Sequence, residues 1–227
     1  MKRRTFLANG GKLSIALTFP YSINTNLLAA TMSSELTSLT ALELSMAIKL
    51  KQASCVEVMQ AYLARIHRYN HRYNAIVALA DDDDLLSQAK LADGELAQGK
   101  YRGWMHGMPH AAKDLTAVKG MPFTSGSLMY KDRIADQDSA MVARIRDAGA
   151  IFIGKTNTPE FGLGSQSYNP IYGATGSAYN PELTSGGSSG GAGSGLGTQM
   201  LPVADGSDMM GSLRNPGAFN NVIGYRP

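Results

Sequence analysis

The stretch from Thr184 to Arg214 carries most of the residues in this chain whose types could perform chemistry. Between Thr184 and Gly197, eleven of fourteen residues are Gly or Ser. Glycine at this density lets backbone segments approach each other closely and adopt positive φ angles. A flexible linker has similar composition, but this run has no repeat and leads into an apolar segment at 200–204. We therefore interpret it as packed structure whose serines are candidate reactive groups, although turn formation is the ordinary role of a Gly-flanked serine.

A serine becomes a good nucleophile only when a neighbouring base removes its proton. Ser189 lies at the centre of Gly187-Ser188-Ser189-Gly190-Gly191, which matches the Gly-x-Ser-x-Gly nucleophile elbow. That motif requires a histidine later in the chain than the serine. All the histidines come earlier, at His67, His71, His106 and His110. The residue order therefore excludes this type of catalytic triad.

Lysine is another possible base, provided that it is neutral. Burial disfavours the charged ammonium and lowers its pKa. Lys113 ends the apolar stretch Met108–Ala112, which is a setting where burial could occur. From the residues alone, a surface ion pair with Asp114 or another acid is the more ordinary role, because most lysines are solvated.

Three separated motifs resemble those of the amidase signature family. They are the Lys113-Asp114 step, GGSSGG at 186–191, and DGSDMMGSLRNPG at 205–217. Lys113 and Ser188 are 188 − 113 = 75 residues apart, and Ser188 and Ser212 are 212 − 188 = 24 apart. The resemblance extends from about Leu39 to Pro227. It implies a serine hydrolase that cleaves amide C–N bonds with a Ser-Ser-Lys triad and needs no metal or other cofactor.

The resemblance also implies roles for individual residues. Ser212 is the expected nucleophile, Lys113 the base, and Ser188 a bridging serine, often held by a cis peptide, that relays protons between them. Ser188 and Gly162 are expected substrate contacts. The expected oxyanion hole consists of backbone N–H groups, those of Met209, Met210, Gly211 and Ser212.

Other residues of the motifs are expected to support this site. Asp208 and Arg214 flank the expected nucleophile and are interpreted as loop supports. Ser189 is expected to form hydrogen bonds within the site. Met210 departs from the family pattern, which has glycine at this position, so the detailed oxyanion geometry is the least specified part of the site.

The chain is shorter than amidase signature enzymes and ends soon after the expected nucleophile, at Pro227. The resemblance therefore predicts a C-terminally truncated member. Its expected function is hydrolysis of a carboxylic or peptide-like amide through an acyl-enzyme on Ser212. The alternative is a catalytically silent fragment or an interaction remnant. A tRNA-transamidation subunit of the same family is disfavoured by the leader described next, because tRNA charging is cytosolic.

Residues 1–30 are predicted to be an export signal. A basic start with the run Arg3-Arg4-Thr5-Phe6-Leu7 precedes a mildly apolar stretch and Ala29-Ala30. The Arg-Arg pair resembles a twin-arginine signal, which indicates a periplasmic protein carried by twin-arginine or general export machinery. Pro20 within the stretch argues against a membrane-spanning helix.

The net charge and the single cysteine restrict the classes of partner expected for this chain. The formal net charge is +3, and the leader alone carries four basic residues and no acid, so residues 31–227 carry +3 − 4 = −1. This gives no electrostatic reason to expect nucleic-acid binding. The single cysteine, Cys55, cannot form an internal disulfide. The expected partner is a small-molecule or peptide amide, and the oligomeric state is not predicted.

Residues 31–227 are predicted to form one α/β domain, the N-terminal part of an amidase signature fold, with a mixed twisted sheet covered by helices. Capping boxes at Thr40–Glu43 and Ser54–Glu57 predict two helices, and a third is predicted over Ser139–Ala148. Ala75–Ala80 and Ala150–Gly154 are predicted to be buried strands.

Three further patterns have simpler explanations than binding sites. Gly149–Thr156 formally matches a phosphate-binding loop, but its middle residues are the best strand candidate in the chain. The acids at 81–84 suit the positive end of a helix dipole better than a metal. His67 and His71 could be a metal pair by spacing, but a solvent-exposed pair among arginines is the plainer interpretation.

Overall fold

The computed structural model describes residues 35–227, so the predicted export signal at 1–30 lies outside the described residues. At the centre is a three-stranded sheet formed by β1 (Ile76–Val77), β2 (Pro109–Lys113) and β3 (Ile151–Thr156). The order is β1-β3-β2, with β1 antiparallel and β2 parallel to β3. The sheet is therefore mixed, as predicted for the α/β fold.

Two helices begin where their capping boxes predicted. Helix α1 (Ala41–Lys49) is capped by Thr40, and α2 (Cys55–Tyr73) by Ser54. In both, the cap hydroxyl accepts from the N–H of a glutamate three residues on, whose carboxylate binds the cap N–H in return. Helix α2 ends at Asn74, which has a left-handed conformation.

The next two helices also follow polar start signals. Helix α3 (Asp82–Ala97) is capped by Asp81, whose carboxylate accepts from two N–H groups of the first turn. The acidic run is therefore a helix start, as predicted, rather than a ligand set. Helix α4 (Ala140–Asp147) is capped by Ser139 and links β2 to β3.

The two faces of the sheet are both covered. Ile151 and Ile153 pack into the main core together with helices α1 to α3, whereas Phe152 packs on the other side with Val142 of α4. Strands buried on both faces are continuously apolar rather than alternating. The apparent phosphate-loop match at 149–156 is this buried strand β3.

The predicted strand over Ala75–Ala80 is shorter than expected. Only Ile76 and Val77 are paired as a strand, because Ala78 has φ +49° and turns the chain out of the extended conformation. Ala80 nevertheless donates a 2.8 Å backbone hydrogen bond to Ile153.

The Gly/Ser stretch is folded and buried. It forms helix α5 (Gly190–Gly197), which packs against helix α6 (Arg214–Asn220) and against the sheet. A Cβ at Gly191 would lie 2.2 Å from the Asn157 N atom and 2.6 Å from the Ala75 O atom. Only glycine allows the helix to approach the backbone this closely. Met200 and Leu201 join the main core, so the segment is not a linker.

The remaining elements are short. Strands β4 (Tyr168–Asn169) and β5 (Gly173–Ala174) form an antiparallel pair, and two 3₁₀ turns cover Leu128–Tyr130 and Glu160–Gly162. Within residues 35–227, no helix combines the length and hydrophobicity needed to cross a bilayer.

Candidate active site

Lys113 lies at the carboxyl end of β2 and is buried, with 1 % of its surface exposed. Its Nζ donates to three hydroxyl oxygens: Ser188 Oγ at 2.7 Å, Ser189 Oγ at 2.9 Å and Ser207 Oγ at 3.0 Å. Strand β2 ends at Lys113, and this places the lysine at the sheet edge next to the Gly/Ser stretch. The lysine thus meets a cluster of hydroxyls.

Burial lowers the pKa of Lys113 to about 8, although the negative charges of Asp205 and Asp208 act in the opposite direction. Within residues 35–227 no carboxylate forms an ion pair with its Nζ. Asp114 instead faces Lys155, with 3.8 Å between Oδ1 and Nζ. The surface ion pair considered from the sequence is therefore not formed, and an appreciable fraction of Lys113 is neutral near pH 8.

The Gly187–Ser188 peptide bond is cis, as the family resemblance implied. The backbone around it is tightly packed: a Cβ at Gly187 would lie 2.6 Å from the Gln166 N atom. The Ser167 hydroxyl donates to the Ser188 carbonyl at 3.2 Å and accepts from the Gly190 N–H at 2.9 Å. Ser188 is thereby fixed with its hydroxyl against Lys113.

Ser212 is linked to this cluster through its backbone. The Ser189 N–H donates to the Ser212 carbonyl at 3.0 Å, so the loop that carries Ser212 is tied to the residue beside Ser188. The Ser212 side chain is half-buried, and its hydroxyl has no hydrogen-bond partner in the described part of the chain. The structure therefore brings Lys113 and Ser188 into contact and holds Ser212 on the adjoining loop.

Asp208 organises the loop before Ser212. Its carboxylate accepts from the N–H groups of Gly211 at 2.6 Å and Leu213 at 3.1 Å, and both oxygens bind the Arg214 guanidinium at 3.0 Å. The hydrogen bonds from Arg214 and these N–H groups hold the pKa of Asp208 far below its ordinary value. Asp208 and Arg214 thus support the loop, as expected.

One predicted oxyanion donor is directed elsewhere. The Gly211 N–H, expected in an oxyanion hole, binds the Asp208 carboxylate because the chain turns back on that side chain. The N–H groups of Met209, Met210 and Ser212 have no acceptor within residues 35–227. The Met209 and Met210 side chains are 77 % and 83 % exposed, so Met210 points away from the core rather than filling it.

Gly162 lies beside the hydroxyl cluster. Its φ is +69°, and a Cβ there would be 3.7 Å from Ser188 Oγ and 2.6 Å from Leu115 Cδ1. Any larger residue would be strained by the positive φ and would require the Leu115 side chain to shift. The 3₁₀ turn containing Gly162 therefore borders the site, with Phe161 and Leu163 exposed on either side of it.

Two site residues were not predicted from the sequence. Ser207 is the third hydroxyl on Lys113, and it could have been suspected from the second Gly/Ser cluster at 206–212. Asp205 is the other. It accepts from His110 Nε2 at 3.0 Å and from the Lys113 backbone N–H at 3.3 Å. The only feature of the sequence that pointed to Asp205 was its partner, His110, which lies in the apolar stretch before Lys113.

A sequence profile of the amidase family matches residues 57–227. The chain belongs to this amidase family. Among curated relatives, a glutamyl-tRNA(Gln) amidotransferase subunit from Cutibacterium acnes is 38 % identical over 193 residues, which is 85 % of this chain and 38 % of that protein. The corresponding subunit of Burkholderia lata is 40 % identical over 185 residues, or 82 % of this chain and 37 % of the relative.

Solved structures of the amidase family have the same fold. A fatty acid amide hydrolase superposes with a TM-score of 0.80 at 29 % identity, covering 87 % of this chain and 35 % of that chain. A bacterial aryl acylamidase of the amidase signature family gives 0.75 at 31 % identity, covering 81 % and 38 %. This chain therefore spans well under half the length of the amidases it matches.

Proposed function

We propose that this protein hydrolyses a carboxylic or peptide-like amide through an acyl-enzyme on Ser212. The observation that carries the proposal is the buried Lys113, whose Nζ lies 2.7 Å from Ser188 Oγ and whose pKa is lowered to about 8. A lysine in this state can accept a proton near neutral pH. Membership of the amidase family indicates that the bond cleaved is an amide C–N bond.

In the proposed first step, the Ser212 hydroxyl passes its proton to Ser188, and Ser188 passes its own to the neutral Lys113. A hydroxyl can relay in this way because it donates and accepts simultaneously. The Ser212 oxygen then forms a bond to the amide carbon. The C–N bond breaks as Ser188 gives its proton to the departing nitrogen and takes one from the Lys113 ammonium, and the nitrogen leaves as an amine or ammonia.

In the second step, water attacks the ester carbon of the acyl-enzyme and gives its proton to the same relay. The bond to Ser212 breaks, the serine regains its proton and the carboxylic acid leaves. We assign oxyanion stabilisation to the N–H groups of Met209, Met210 and Ser212, since they have no acceptor in the described chain. Gly162 and Ser188 would contact the bound substrate.

The proposal is tested by labelling the full chain with a fluorophosphonate probe and measuring intact mass. Labelling forms an Oγ–P bond, breaks the P–F bond and releases fluoride. We expect one adduct on the wild type and none on Ser212→Ala, whereas Ser165→Ala, a nearby exposed serine, should label normally. Labelling that survives Ser212→Ala would overturn the assignment. A folded wild type that does not label would favour the catalytically silent alternative.

The labelling rate should depend on pH. Because only neutral Lys113 accepts a proton, and its pKa is lowered to about 8, the rate should rise about tenfold per pH unit up to about pH 8 and then level off. A rate that is flat between pH 6 and 9 would contradict lysine as the base.

A second candidate is the glutamine-hydrolysing role of a tRNA-dependent amidotransferase. It is favoured by the 38 % identity to the Cutibacterium acnes protein. The two candidates use the same bond chemistry but different substrates. Hydrolysis of glutamine in preference to simple aryl or alkyl amides, measured as ammonia release, would favour the amidotransferase role.

We also propose that residues 1–30 direct export to the periplasm and that export machinery is the protein's transient partner. The basic start with its Arg-Arg pair supports this. Expression in a bacterial host followed by fractionation should yield a periplasmic product that begins near Thr31. A full-length product confined to the cytoplasm would contradict the proposal and would strengthen the amidotransferase candidate.

A further inference from the structure

His110 and Asp205 form a buried pair next to the site. The His110 Nε2 and Asp205 Oδ1 atoms are 3.0 Å apart, and the two side chains are 2 % and 6 % exposed. The His110 Nδ1 atom is buried and has no hydrogen-bond partner within residues 35–227. The Nε2–H is therefore committed to the carboxylate, because this is the only side-chain partner that the ring has there.

The same carboxylate contacts the lysine strand. Both Asp205 oxygens lie 3.3 Å from the Lys113 backbone N, which donates to them. Asp205 is two residues before Ser207, which itself accepts from Lys113 Nζ at 3.0 Å. The Asp205 carboxylate therefore connects the end of β2, which carries Lys113, to the loop that carries Ser207 and Ser212.

We propose that His110 and Asp205 are positioning residues for Lys113, and that the negative charge of Asp205 also controls how readily the Lys113 amine is protonated. The inference rests on the proposed function in that Lys113 is the base. His110 keeps the carboxylate oriented, the carboxylate fixes the lysine backbone, and its charge stabilises the nearby ammonium.

Other charges around the pair are held in their own contacts. Asp208 is bound to Arg214 at 3.0 Å, and Lys155 faces Asp114 at 3.8 Å. The His110 ring stands edge-on to Phe152, with 5.3 Å between centroids, and the Arg146 guanidinium covers the same Phe152 ring at 4.9 Å. Of the three carboxylates, Asp205 is thus the one that contacts strand β2, which carries Lys113.

The test is an NMR titration of Lys113 in full-length protein containing isotope-labelled lysine, with the Lys113 signal identified by its loss in Lys113→Met. Asp205→Asn removes the charge but keeps the shape. The Lys113 titration midpoint should fall by about one pH unit, because a nearby opposite charge stabilises the ammonium and the variant lacks it. At pH 7 the neutral fraction should rise about fivefold. Asp82→Asn, a matched change in the exposed His67–Asp82 pair, should leave the midpoint unchanged.

The histidine is tested separately by labelling rate. His110→Gln keeps an N–H donor for Asp205 and should label at nearly the wild-type rate, whereas His110→Phe keeps the bulk without the donor and should label several-fold more slowly. These variants also test the pair if Asp205→Asn does not fold.

The outcomes separate the two proposals. Absence of wild-type labelling would refute the Ser212 mechanism, yet the NMR midpoints would still report on Asp205. An unchanged Lys113 midpoint in folded Asp205→Asn would overturn the electrostatic role. Equal labelling of wild type, His110→Gln and His110→Phe would overturn the positioning role.

Discussion

Two lysines on neighbouring strands are equally buried but have opposite surroundings. Lys113 on β2 and Lys155 on β3 are 1 % and 0 % exposed, and Lys155 pairs in register with Ala112, the residue before Lys113. Lys113 Nζ contacts three serine hydroxyls. Lys155 Nζ contacts the Asp114 carboxylate, the Thr116 carbonyl and the face of Phe123.

We infer from this comparison that burial alone does not make a lysine a base. Burial lowers the pKa of both residues, but Lys155 has an adjacent carboxylate that compensates its charge. Hydroxyls solvate an ammonium without fixing it, and they can also donate to a neutral amine. We therefore expect Lys113 to exchange protons, whereas the contacts of Lys155 hold Asp114 and the loop at 114–126.

The largest expected effect is that of Lys113→Met on reactivity. Loss of the base should slow labelling of Ser212 by about a thousandfold. The protein should nevertheless become more stable by about 2 kcal/mol at pH 7, because the cost of burying an amine that prefers to be charged exceeds the loss of its hydrogen bonds to the three hydroxyls.

The stability gain of Lys113→Met should depend on pH with a defined sign. The pKa of Lys113 is lowered on folding from 10.5 to about 8, so the unfolded chain binds more protons between these values and the wild type gains stability as pH rises. The gain of the variant should therefore be largest below pH 8 and shrink towards pH 10.5. Urea unfolding of both proteins at pH 7 and at pH 10.5 measures the gain in stability, and a gain that does not depend on pH would contradict the prediction.

The converse effect is expected for Lys155→Met. Its removal leaves the buried Asp114 carboxylate without its cation, and the free energy of unfolding should fall by about 3 kcal/mol. The double variant Lys155→Met with Asp114→Asn removes that charge and should recover part of the loss. If Lys155→Met were as stable as the wild type, the two lysines would not differ in the way that their contacts indicate.

The smallest effect is expected for Ser207→Ala, which removes one of the three hydroxyls around Lys113. Because this hydroxyl accepts from the ammonium, its loss disfavours the charged form, and the pH midpoint of labelling should fall by about half a unit. The maximal rate should fall by less than about tenfold. The control is Ser194→Ala, which changes a buried serine of helix α5 and should leave the midpoint unchanged.

Local signals in the sequence predicted much of the fold. The capping boxes at Thr40 and Ser54 place α1 and α2, Asp81 starts α3, and the apolar run at 150–154 locates the central strand. These features depend on neighbouring residues, so a single sequence contains them. The strand predicted over Ala75–Ala80 is shorter than predicted, because Ala78 has a positive φ that its residue type does not indicate.

The candidate site divides in the same way. The resemblance of three short motifs to the amidase signature family indicated Lys113, Ser188 and Ser212 and the supporting pair Asp208 and Arg214. The sequence by itself therefore determined which residue types are available and in what order. Only the tertiary structure decided that Lys113 meets hydroxyls while Lys155 takes Asp114, and that Asp205 joins His110 to the lysine strand. Those choices depend on contacts between residues that are far apart in the sequence: 41 positions for Lys155 and Asp114, 75 for Lys113 and Ser188, and 95 for His110 and Asp205.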